Sequence, residues 1–256
     1  MGLEKAGLKL INAWAKTSEK SLLATRSIKV NPHELGYCHL DGTVKFKNFT
    51  RYRTAHEAEA EAKRIVMKQF EAPVCEQKEI MTATVGNDLY VGMEGSNGMF
   101  GQECYPPGGI MGKKAKLFHN HPVCTGQGDS NPVSCMDISA MLTQEAQSIT
   151  AFNRIGQYCT AELKNPNKIL DLLDGRIKDF IKAHPEQINA SLGLKAQKVM
   201  LDDMVAEIDK LKALYGDKIS EKSLMTMVQH ISNKRILPQL GIEYKTNFSN
   251  LLDLNV

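Results

Sequence analysis

His119 and His121 are separated by one residue, followed directly by Pro122 and then, after a glycine-bearing stretch, by Ser134-Cys135-Met136-Asp137. On an extended strand side chains alternate with a period of two, so the two imidazoles point to the same side. Imidazole nitrogen is a common zinc donor, and a carboxylate such as Asp137 brings a third. Two histidines and one carboxylate leave a corner of a tetrahedral ion open, which marks catalytic sites and not structural ones. Leu117 and Phe118 read as the buried end of the strand carrying the pair, and Pro122 stops its pairing.

Other donors compete. Asp129 stands nearer the histidines, whereas Asp137 opens a helical stretch through Leu142 and has Ser134 three residues before it. Asp137 is preferred for that context. Cys124 and Cys135 flank the same loop, and with His119 and His121 they form an alternative four-donor structural set with no open corner. Their spacing matches no standard finger or ribbon. Ser134 also suits a helix N-cap, and Asp137 the positive end of the helix dipole. His33, His39, His56, His184 and His230 are scattered and receive no role. His-Asn-His is not the HNH nuclease motif, whose residues are spread across a ββα unit.

The pattern His-x-His-Pro with a following Ser-x-x-Asp, here His119 to Pro122 and Ser134 to Asp137, resembles the JAMM (MPN+, JAB) metalloproteases. The wording His-Asn-His-Pro is similar to bacterial and phage branches, including RadC-like proteins. The resemblance covers Thr54 to Lys164, with its specific part at the motif. It implies an α/β fold, a JAMM/MPN-like (cytidine-deaminase-like) α-β-α sandwich, and Zn2+ held by His119, His121 and Asp137. It also implies hydrolysis of an amide in a protein substrate, including ubiquitin-like ones. Zinc would bring the pKa of bound water from 15.7 to roughly 7. In the family the general base is a Glu opening the strand after the first core helix. Glu71, Glu76, Glu79 and Glu94 compete for that place. Glu79, directly before an apolar alternating run, fits best. Ser134 matches the serine whose hydroxyl steadies the oxyanion. The loop from Val123 to Val133 is longer than the family's usual spacing, which a surface loop tolerates because closure entropy grows slowly with length.

The chain has 256 residues, 42% hydrophobic and 24% charged, enough for one elaborated domain or two smaller ones. A net charge of +3 is too mild to point to a nucleic-acid or membrane surface. A RadC-like link to DNA is therefore a secondary reading, as is a metal-binding interaction module without catalysis. The six cysteines form no CxxC pair and read as free thiols of a reducing, cytoplasmic compartment. No membrane span or Sec signal is expected, and a route of export without a signal is left open.

The organisation that must position these groups reads in three parts: an extension over 1–50, a core over 51–164 and a helical region over 165–256. In the extension, Leu8, Leu10, Ile11 and Trp14 suit a short helix, and 43–47 alternates like an edge strand. Thr54 with Glu57 forms a capping-box signal for a helix to about Phe70. A hairpin over 79–93 and an irregular loop over 95–113 precede the metal-site strand over 115–119. A helix from Asp137 to about Ala146 and a hairpin ending at Leu163 complete the core. Farther on, Ile169, Leu172, Leu173, Ile177, Phe180 and Ile181 read as one apolar stripe. Ser191 reads as the cap of a second helix ended by Gly216, and Ser220 as the cap of a third to about Arg235. Metal analysis of purified variants checks the ligand choice. Asp137→Ala is expected to lose the ion and Asp129→Ala to keep it, and the reverse result would move the ligand role to Asp129.

Overall fold

The computed structural model describes residues 36–38, 44–46, 49–92, 110, 112–122, 132–173, 175–216 and 220–247. Glu94, Cys124, Asp129 and the helix expected near Trp14 lie outside these residues. Strands β1 (Gly36–Cys38) and β2 (Val44–Phe46) pair with each other as a separate antiparallel ribbon. The main sheet runs β3-β5-β4-β6-β7-β8-β9. Its strands are β3 (Thr50–Arg51), β4 (Met81–Val85), β5 (Asp88–Val91), β6 (Lys116–Asn120), β7 (Ser148–Phe152), β8 (Tyr158–Leu163) and β9 (Ile242–Thr246). All neighbours are antiparallel except β6 and β7. Parallel neighbours need a long crossover, and helix α2 (Cys135–Thr143) supplies it. The chain is thus α/β, with a mixed seven-stranded sheet.

Helix α1 (Ala55–Lys68) starts at the expected capping box, in which Thr54 Oγ1 accepts from the Glu57 N–H and the Glu57 carboxylate accepts from the Thr54 N–H. Its buried Ala58, Ala62 and Val66 recur every four residues, one stripe of a 3.6-residue helix. Ala62 and Val66 pack with Ile80, Leu89, Phe118 and Phe152 on one face of the sheet. The other face carries Met81, Ala83, Leu117, Ile149, Ala151 and Ala161, which pack with α2 and helix α5 (Ile188–Tyr215). Strand alternation therefore sends Leu117 and Phe118 into different clusters, and His119 follows Leu117.

Helices α2 and α5 touch closely because Gly193 has no side chain. A Cβ there would stand 2.7 Å from Thr143 Oγ1 and 2.9 Å from the Ser139 carbonyl oxygen. Gly241 is similarly obligatory: its φ is +74°, and a Cβ would meet the Asn165 carbonyl. Its own carbonyl accepts from the N–H groups of Lys164 and Asn165, both at 2.9 Å, joining the end of β8 to the start of β9.

The region after 165 departs from its sequence reading. It contributes β9, the edge strand beside β8, after helix α6 (Glu221–Ile236). The single stripe near 169–181 is split between α3 (Asn167–Asp171) and α4 (Gly175–Ala183), and Leu172 and Phe180 are exposed. Ser191 lies inside α5 and does not cap it; the helix begins at Ile188 with no side-chain cap. Its buried face runs through Leu192, Ala196, Met200, Met204, Ile208 and Leu211. Gly216 and Ser220 do terminate α5 and cap α6. Arg235 of α6 reaches both Asp203 and Glu207 of α5, at 2.8 and 2.9 Å. No helix among the described residues is long and apolar enough to cross a membrane.

Gly193→Ala must push the Ser139 main chain or strip contacts from the α2–α5 seam. The expected loss is about 1–3 kcal/mol of overpacking, lessened by up to about 1 kcal/mol of helix propensity gained. Urea unfolding of the variant beside the wild type checks it.

Candidate metal centre

Three chain segments meet at the end of β6. His119 is the fourth residue of that strand, and His121 follows its end, tied to β7 by its N–H donating to the Phe152 carbonyl at 2.8 Å. Met81 of β4 pairs with His119. Continuing that register past the start of β4 brings Glu79 opposite His121. The third segment is the first turn of α2, which carries Asp137.

The three segments bring Glu79, His119, His121 and Asp137 into one buried group whose donor atoms all lie within 4.8 Å of one another. The two Nε2 atoms stand 2.9 Å apart. Asp137 reaches His119 Nε2 at 3.2 Å through Oδ1 and His121 Nε2 at 3.6 Å through Oδ2. Donors bound at about 2.0–2.1 Å to a tetrahedral ion stand about 3.3 Å from each other, and the three separations bracket that value. The group could hold a metal ion. The chemistry of the donors agrees: two buried carboxylates beside two imidazoles carry excess negative charge, which a divalent cation would neutralise.

The helix end fixes Asp137. Ser134 caps α2, its Oγ accepting from the Asp137 N–H at 3.1 Å. Asp137 Oδ2 accepts in return from the Ser134 N–H at 2.6 Å. This reciprocal box satisfies two donors of the helix start and turns the carboxylate toward the histidines. Burial opposes the charge on Asp137, yet His119 and His121 outweigh it and hold its pKa well below the usual carboxylate range. Burial likewise opposes a charged His119, while Asp137 and then Glu79 raise its pKa above the ordinary value.

The rivals fall elsewhere. Glu71 and Glu76 are exposed and stand apart from the group, whereas Glu79 is buried. Cys135 is fully buried in the apolar core beside Ile138 and Met141, and burial, then Asp137, pushes its thiol up to about 12. It is not among the donors gathered there, and Cys124 lies outside the described residues. Val133, fully buried, leads directly into Ser134.

Two supports were not legible in the sequence. Asn120, between the histidines, donates from Nδ2 to the Lys78 carbonyl and accepts at Oδ1 from the Ile80 N–H, each at 2.8 Å. From α6, Gln229 Nε2 and Asn233 Nδ2 both donate to the Val133 carbonyl, at 3.1 and 2.8 Å. The signal for Asn120 was a polar residue on the strand face that also carries Phe118. Gln229 and Asn233 gave one as well, two amides four residues apart on a helix face, but nothing in the sequence named their partner. Compared with known proteins, the chain matches no family model, no curated protein and no solved structure.

Ser134→Ala should lower the free energy of unfolding by about 1 kcal/mol through loss of the cap, read by denaturant titration of metal-free protein. The same variant should still bind one metal ion, because Asp137 is oriented by the main-chain N–H of residue 134, which alanine keeps.

Proposed function

We propose that the chain is a zinc-dependent peptidase or isopeptidase of the JAMM type, built on a JAMM/MPN-like core with an added C-terminal region. The observation that carries this reading is the buried convergence of Glu79, His119, His121 and Asp137 at a strand–helix junction. His119, His121 and Asp137 are the ligands, and their donor set suits zinc. Zinc bound there supplies a Lewis acid and makes hydroxide available at neutral pH.

The remaining work belongs to side chains. Glu79 accepts the proton of the attacking water and returns it to the leaving amine, which a carboxylate in a buried site can do at neutral pH. Ser134 Oγ already accepts from the Asp137 N–H, so its hydroxyl proton is left to donate to the oxyanion of the tetrahedral intermediate. The substrate class is a protein amide, including the isopeptide or fusion bond of a ubiquitin-like protein.

One rival uses the same group. If Glu79 is a fourth ligand, the centre is closed and the chain is a metal-binding module without catalysis. Glu79→Gln separates the two. Under the proposal this variant keeps one zinc per chain and loses hydrolysis of a ubiquitin-like fusion by about 100-fold or more. Wild-type cleavage should stop with a chelator and return with zinc. Loss of zinc from Glu79→Gln supports the closed centre, and cleavage indifferent to the chelator overturns the peptidase.

A further inference from the structure

We infer that Asn120 is a positioning residue for Glu79: its carboxamide grips the main chain on both sides of Glu79 and so fixes where that carboxylate stands. The inference rests on the proposed role of Glu79. Asn120 is fully buried and shares the face of β6 that carries Phe118, opposite His119, so it does not reach toward the ion. Its two bonds, at 2.8 Å each, go to the Lys78 carbonyl and the Ile80 N–H, the peptide groups of the residues flanking Glu79.

Those groups sit where the ladder runs out. β4 begins only at Met81 and β6 ends at Asn120. A planar amide with a donor and an acceptor side by side stands in for the missing rung. Glu79 stands between two anchored neighbours. A displacement of about 1 Å at a reacting group can cost about 100-fold in rate, so anchoring of this kind bears on chemistry and not on folding alone. Aspartate cannot reproduce it, since a carboxylate has no donor for the Lys78 carbonyl, and leucine, close in shape, offers neither bond.

The test uses the full chain loaded with Co2+. It reads the stoichiometry, the pH midpoint of the visible absorption band, and hydrogen exchange at the Ile80 amide. Asn120→Leu is expected to bind one Co2+ and to exchange the Ile80 amide faster by about tenfold, the fold-change of one lost buried hydrogen bond. Its midpoint should move in the same direction as that of Glu79→Gln. Added to Glu79→Gln, it should produce no further movement, because it acts through Glu79. Asn120→Ala, which loses both bonds without adding bulk or charge, should move the midpoint in the same direction, and it decides by the same criteria where Asn120→Leu does not fold. An unmoved midpoint, equal movement in both backgrounds, or loss of Co2+ overturns the inference. Failure of the underlying reading looks different: the wild type takes no Co2+, or Glu79→Gln alone leaves the midpoint in place, and the role of Asn120 then falls with that of Glu79.

Discussion

Burying charge is expensive unless something compensates it, and much of this structure can be understood from that constraint at the end of β6. Asp137 and Glu79 are both about nine-tenths buried beside two imidazoles. An uncompensated buried carboxylate costs several kcal/mol, so the fold must supply counter-charge and hydrogen bonds around these groups. It does so from the main chain. The Ser134 N–H serves one oxygen of Asp137 while the histidines face both. Helix α2 therefore starts where it does for two reasons that reinforce each other. Its cap satisfies backbone donors, and the same carboxylate is aimed across the strand end at His119 and His121.

Strand β6 is well suited to hold the other half. It lies inside the sheet, antiparallel to β4 and parallel to β7, so both of its edges are paired. Leu117 locks one face into the main core and Phe118 locks the other beneath α1. A one-residue slip would exchange those faces and send both histidines to the α1 side. The hydrophobic pattern thus sets the register that makes the imidazoles converge, and the pairing of Met81 with His119 carries the same register to Glu79.

What could be read in advance was local. The same-side placement of His119 and His121 follows from strand parity, and the boxes at Thr54–Glu57 and Ser134–Asp137 follow from three-residue spacing. Glu79 was separable from Glu71 and Glu76 only by its place before an apolar run, and the structure shows the difference as burial. What could not be read depends on partners distant in the chain. β9 pairs with β8 across more than seventy intervening residues, for example Leu163 with Ile242, and a five-residue segment of Ile-Glu-Tyr-Lys-Thr gives no sign of that neighbour. The stripe through Leu172 and Phe180 misled because hydrophobic spacing marks a face without saying that anything covers it. Ser191 has the chemistry of a cap, but α5 begins three residues earlier because its first turn is supported by packing and not by a side-chain cap.

The region after 165 is tied to the centre by more than apolar contact. Gln229 and Asn233 hold the Val133 carbonyl, one residue before the cap that orients Asp137. The same helix offers His230 to the Tyr244 hydroxyl of β9 at 3.0 Å, and that hydroxyl lies 3.1 Å from Cys159 Sγ on β8. Helix α6 therefore spans from the edge of the sheet to the start of α2, and two of its side-chain amides satisfy the buried Val133 carbonyl. An unmet buried carbonyl costs about 1–3 kcal/mol, comparable to the cap itself. On that ground helix α6 takes part in holding the segment that leads into the cap of Asp137.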